Sequence, residues 1–286
     1  MEKLGLQQRI WRVIYPMLIY LLMSTFFGLL ISIIYALTLV GSEQYAAEIM
    51  DFNRILDISA QYMLDNTLFV SLCGYIAALA VFIPIWFKTK VRYPRWNGGG
   101  FSIPVALCAA GAAIGLNVVF SVIITITGLA ELFPGHDVVI DAVTGGSMPL
   151  QIIAVGLITP VAEELCFRGV TLSRMSGTKI WIALAIQAVL FGILHMNILQ
   201  STYTALLGVF LGFLTIRYRN IIYAIIAHVA FNLCSIVLGA VKSELFVTIL
   251  SVVIVLLAIV SVAGLVKCKK PEPYTPPEDA AVSVEG

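Results

Sequence analysis

The sequence predicts an all-α integral membrane protein of eight transmembrane helices with both termini in the cytoplasm. Three observations carry this. Of the 286 residues, 60% are hydrophobic and only 12% charged, against about 45–50% and about 25% in soluble domains. The apolar residues fall in runs near the ~20 needed to cross a hydrocarbon core about 30 Å thick. Lys and Arg gather in alternate connections, as the positive-inside rule requires. This composition excludes a soluble enzyme, a disordered chain and a nucleic-acid binder with a basic face. A net charge of +1 is uninformative until the charges are sorted by side.

In order, the spans are 14–40, 67–87, 103–130, 148–172, 180–199, 201–216, 221–239 and 244–267. The first follows a charged start (Glu2, Lys3, Arg9, Arg12), has 27 residues and lacks a small-residue cleavage site before Gly41, so it reads as a retained helix. The connection 41–66 is acidic and carries Ile49, Phe52, Ile55 and Leu56 at helical spacing, which predicts a short extracytoplasmic helix around Ala46–Tyr62. Lys3, Arg9 and Arg12, then Lys88, Lys90, Arg92 and Arg95, then Arg174 and Lys179, then Arg217 and Arg219, then Lys267, Lys269 and Lys270 place 14 of the 17 cations on one side. Segment 201–216 is short, yet 180–216 has 37 residues, too many for one crossing at 1.5 Å per residue. Two crossings or a re-entrant hairpin both return the chain to the same side. Residues 1–270 thus form one membrane domain, and 271–286, rich in Pro and acids, a disordered cytoplasmic tail.

A charge at membrane depth costs roughly 2.5–3.5 kcal/mol on insertion scales, so each one there is a functional hypothesis. The spans concentrate theirs. ITPVAEELCFRG (Ile158–Gly169) holds Glu163, Glu164 and Arg168; FGILH (Phe191–His195) holds His195; HVAFN (His228–Asn232) holds His228 and Asn232. Residues four apart share a helix face. Glu164 and Arg168 can therefore pair, leaving Glu163, about 100° round the helix, as the unpaired carboxylate. His228 and Asn232 share a face, as do Phe191 and His195, whose ring would wall the site against lipid. Pro160 removes a helical hydrogen bond, freeing the carbonyl of Gly156 by the usual four-residue offset. In supporting places, Asn197 and Gln187 read as interhelical hydrogen bonders, Gly208 and Gly212 as a close-packing pair, and His136 as an inert residue of an exposed loop. The five cysteines have no paired spacing and suggest neither disulfides nor a thiolate site.

A buried Glu beside a His can take a proton from water and pass it to a leaving amine. A second His and an Asn amide can donate hydrogen bonds to the oxyanion. Glu163, His195 and His228 could equally hold a divalent metal, zinc, as a His₂Glu set with an open position. The residue types leave both routes open.

EELCFR fits EExxxR, FGILH fits FxxxH and HVAFN fits HxxxN, in that order and on separate spans. With them the chain resembles the CPBP family of intramembrane endopeptidases, which includes CAAX prenyl protease 2 and the bacteriocin-processing, or Abi, proteins. The resemblance covers about 148–239. It implies a catalytic pocket inside the helix bundle and hydrolysis of a peptide bond in a membrane-associated substrate, prenylated or of leader type. It also implies that Glu163 and His195 activate water and that His228 and Asn232 stabilise the oxyanion, with Glu164, Arg168 and Phe191 supporting them. The family is often labelled as metalloproteases, which leaves the metal open. A bacterial cell membrane is the expected location. The alternatives are a non-catalytic scaffold or immunity protein and, since intramembrane Glu and His also serve proton relays, a proton-coupled transporter. The absence of an internal repeat disfavours the transporter.

Overall fold

The protein is described from a computed structural model, which covers residues 5–40, 52–133, 135–136, 140–141 and 144–272. Every regular element among these residues is helical. The main ones are α1 (Leu6–Val40), α2 (Phe52–Asp65), α3 (Thr67–Arg92), α4 (Ile103–Thr127), α5 (Met148–Leu172), α6 (Ile180–Ile193), α7 (Ile198–Tyr218), α8 (Ile222–Ala240) and α9 (Glu244–Lys267). Seven of them, all but α2 and α6, are long and apolar enough to cross a membrane. The multi-pass helical architecture read from the sequence is therefore present. The short helix expected in the first connection is present from Phe52 to Asp65, while its first residues and most of the tail lie outside the described residues.

The weak span differs from expectation. Segment 201–216 proves to be the 21-residue α7, starting at Ile198 and long enough to cross. The short element is α6, with 14 residues, or about 21 Å at 1.5 Å per residue. Two local effects explain this. Asn197 takes extended backbone and its side chain accepts from the Gln200 N–H at 3.1 Å, an N-cap that fixes where α7 begins. Asn197 is thus a cap and not an interhelical bonder. Between the helices the chain turns tightly: the N–H groups of His195 and Met196 donate to Gly192 and Ile193 at 3.0 and 3.1 Å, and Met196 takes φ +54°. His195 consequently sits just past the end of α6, whereas the sequence suggested a position well inside a span.

The packing follows the inverted logic of a membrane bundle. Large apolar residues on α1 and α9, such as Leu22, Leu29, Leu256 and Val260, are exposed on the outer faces. Small ones line the helix contacts: Ala109 and Ala113 of α4 are fully buried, which lets α8 and α9 approach closely. Gly208 and Gly212 perform the expected packing role, since a Cβ on Gly208 would stand 3.1 Å from Ala188 Cα and one on Gly212 2.6 Å from Gln187 Nε2. His136 departs from expectation: it is 6% exposed, and its N–H donates to the Phe133 carbonyl at 3.2 Å. Helix α5 is the most buried of the spanning helices and carries the carboxylates.

Candidate active site

Two features set the geometry of α5. Its hydrogen bonds run in the wide i→i−5 register over Ile152–Ile158 and Leu165–Leu172, with only Thr159–Glu164 α-helical between them. Such π segments are rare and concentrate at functional sites. The first ends where the Thr159 N–H donates to the Ala154 carbonyl, and the Thr159 hydroxyl donates to the same oxygen at 2.8 Å. In that register the Val155 carbonyl would receive the N–H of residue 160. That residue is Pro160, which has none. The orphaned carbonyl is therefore at Val155, one residue before the Gly156 expected from an α register. Asn232 supplies the missing donor, its Nδ2 reaching the Val155 oxygen at 2.8 Å.

The short α-helical piece presents Glu163 and Glu164 to α8, and His228 sits in the notch between them. Its Nδ1 stands 2.9 Å from Glu164 Oε1 and its Nε2 3.7 Å from Glu163 Oε2. Since an ionised carboxylate only accepts, the network assigns the proton to Nδ1. Arg168 Nη1 donates to the same Glu164 oxygen at 2.8 Å, so the pairing read from the four-residue spacing is present. Both partners are fully buried. Glu163, 5% exposed, has looser company: the Tyr20 hydroxyl of α1 donates to its Oε1 at 3.5 Å, and Tyr75 of α3 stacks on Tyr20 with ring centres 5.7 Å apart.

Phe191 is the hub of the cluster. Its buried ring takes the Arg168 guanidinium over one face, 4.5 Å from the centroid. The imidazoles of His195 and His228 meet it edge-on at 5.1 and 5.7 Å. The ring thus packs beneath the site. His195 Nδ1 lies 3.0 Å from the Phe191 carbonyl, which fixes that imidazole and leaves Nε2 free. Gly208 closes the back of the site: its carbonyl accepts from Arg168 Nη2 at 3.2 Å and from Gln187 Nε2 at 2.8 Å. Gln187 is the interhelical bonder its position suggested.

The structure thus brings Glu163, Glu164, Arg168, Phe191 and His228 into one contact cluster, attaches His195 through Phe191, and ties Asn232 to the helix that carries the carboxylates. Sequence reasoning missed Tyr20 and Tyr75, two of eleven tyrosines with no spacing to mark them. Among the described residues no three His, Cys, Asp or Glu groups stand close enough to hold a metal ion. The zinc set Glu163, His195 and His228 is not assembled as it stands. A cavity of about 760 Å³ between α4, α8 and α9 is lined by Asn117, Ser235 and Val252 among others and by none of these residues.

Residues 145–234 match the family described as Type II CAAX prenyl endopeptidase Rce1-like. The motif-bearing core is thus similar to that family. A Bacillus subtilis (strain 168) protein named "Putative membrane peptidase YdiL" is 26% identical over 168 residues, covering 57% of this chain and 68% of that protein. No solved structure matches. The Rce1-like match contains all three motifs, so the resemblance read from them holds, and the chain is a multi-pass membrane protein that is similar to a protease family over those residues.

Proposed function

We propose that the protein is an intramembrane endopeptidase that hydrolyses a peptide bond in a membrane-associated protein or peptide. Glu163 acts as general base, His228 and Asn232 serve the oxyanion, and His195 orients the attacking water. The observation that carries this reading is the division of labour between two adjacent buried carboxylates. Glu164 is consumed by Arg168 and His228, whereas Glu163 keeps only long contacts to Tyr20 and His228. An uncommitted carboxylate inside a membrane bundle costs stability, and base catalysis is the return.

With Nδ1–H bound to Glu164, the His228 Nε2 lone pair faces Glu163, so one proton is needed between those two groups. That geometry suits a proton store. Glu163 takes a proton from a water molecule as the water oxygen bonds to the scissile carbonyl carbon. The oxyanion accepts from protonated His228 and from the second Asn232 amide hydrogen, the first being held by Val155. The C–N bond then breaks as Glu163 returns its proton to the leaving nitrogen, giving a carboxylic acid and an amine. Glu164 orients the imidazole, the third-group role of a catalytic triad. The free Nε2 of His195 is the group available to hold the water.

The test compares protein termini in cells expressing the wild-type chain or Glu163→Gln at equal levels. The expected result is a processed terminus that appears only with wild type. Identical termini in both strains, alongside a phenotype that survives the substitution, would favour the scaffold or immunity reading instead.

A further inference from the structure

Where α1, α3 and α5 end on the side that the Lys and Arg count assigns to the cytoplasm, they enclose a cavity of about 260 Å³ lined by Arg12, Tyr15, Lys88, Arg92, Tyr93 and Arg174 among others. Four cations from three helices converge there, and no carboxylate lines the cavity among the described residues. Basic residues in a last helical turn have an ordinary explanation, since they complement the helix dipole, but a helix C-terminus presents only about half a negative charge. The C-termini of α3 and α5 together account for roughly one of the four positive charges. Roughly three have no counter-charge among the described residues that line the cavity. Arg174 is held in place rather than swung into solvent: its Nη1 donates to the Arg12 carbonyl at 3.1 Å and its guanidinium lies 4.6 Å over the Tyr15 ring.

We infer that this cavity is a binding site for a phosphate-bearing anion, supplied by the headgroup of an anionic phospholipid. Its position at the helix ends is the depth of the headgroup layer, and Tyr15 and Tyr93 give the amphipathic aromatic wall common at that depth. Its volume falls below the ~300 Å³ lower end of drug-sized pockets, which suits a headgroup and excludes a whole lipid. Occupancy would have a consequence for the site above. The three helices bridged are those that carry Tyr20, Tyr75 and Glu163, so a bound phosphate would clamp the shell around the unpaired carboxylate. This goes beyond hydrolysis and does not depend on it.

The full-length protein is placed in phosphatidylcholine nanodiscs with and without phosphatidylglycerol, and retained lipid is counted by native mass spectrometry. Wild type is expected to retain phosphatidylglycerol selectively. Lys88→Gln/Arg92→Gln, both at exposed positions on α3, should hold it about 30-fold more weakly, which is two basic residues at roughly 1 kcal/mol each. Lys267→Gln/Lys270→Gln, which removes equal charge from the same side, should retain it like wild type. Equal retention by all three proteins, or equal loss in both double variants, would overturn the site in favour of diffuse surface attraction. Inorganic phosphate added to the phosphatidylcholine discs separates the sources. Thermal stabilisation by phosphatidylglycerol alone supports the lipid, and stabilisation by phosphate alone overturns the lipid assignment in favour of a free anion.

Discussion

Arg168→Met tests the electrostatic logic of the site most directly. The substitution keeps an unbranched apolar side chain in the space but removes the guanidinium, and three contacts go with it. The Gly208 carbonyl keeps its Gln187 donor at 2.8 Å and is not orphaned. The stacking over Phe191, at 4.5 Å in a dry setting, is worth about 2 kcal/mol. The dominant loss is at Glu164, left as a fully buried carboxylate whose remaining partner is His228, and breaking one side of a buried ion pair costs about 3–5 kcal/mol. Glu164→Gln alone leaves Arg168 unpaired and should cost a similar amount. The double variant Glu164→Gln/Arg168→Met leaves no unpaired charge, and the Gln carbonyl oxygen can still accept from His228 Nδ1–H. It should therefore be more stable than either single variant, with a coupling of about 2 kcal/mol or more. The assay is thermal or denaturant unfolding in detergent on all four proteins, read as differences. If the double variant loses the sum of the two single losses, Glu164 and Arg168 are not acting as a pair and the assignment of Glu163 as the free carboxylate fails with it.

Other substitutions probe the remaining contacts. Tyr20→Phe keeps the stack on Tyr75 and removes only the hydroxyl beside Glu163; the fold should survive while processing slows by up to about tenfold, the worth of one hydrogen bond, and unchanged processing in cell extracts would detach Tyr20 from the reaction. Gly192→Ala puts a Cβ 2.6 Å from the Ser201 carbonyl oxygen, so α6 and α7 must separate at a cost of about 1–3 kcal/mol, measured as a lowered unfolding midpoint. Asn232→Leu orphans the Val155 carbonyl and should cost about 1–3 kcal/mol. Adding Pro160→Ala restores an N–H for that carbonyl and should recover part of the loss, and an additive cycle would refute the clamp.

The parts of this fold governed by local rules were legible. Spans 67–87, 103–130, 148–172, 221–239 and 244–267 match helices to within a few residues, because an apolar run bounded by charges has few other options in a bilayer. The Glu164–Arg168 pair follows from helical periodicity alone. What depended on two helices at once was not legible. Tyr20 reaches Glu163 across 143 positions, and nothing in the spacing of α1 announces it. The end of α6 was misplaced because the hydrophobic run continues past Ile193, and only the capping geometry of Asn197 shows that the helix has already stopped.

Helix α5 shows how a local defect becomes a tertiary requirement. Pro160 would be costly in any helix, and the usual repair is a kink around the carbonyl four residues back. Here the helix widens by one residue instead, and the vacancy moves from Gly156 to Val155. In hydrocarbon that carbonyl must find a donor, at several kcal/mol if it does not. The donor comes from α8, four residues from His228, so satisfying one backbone oxygen fixes the position of the helix that carries the imidazole. The same widening ends at Thr159, which restores α-helical geometry just in time to set Glu163 and Glu164 on either side of His228. Pro160, Asn232 and the two glutamates are therefore one device, in which a proline that damages its own helix holds a second helix in place.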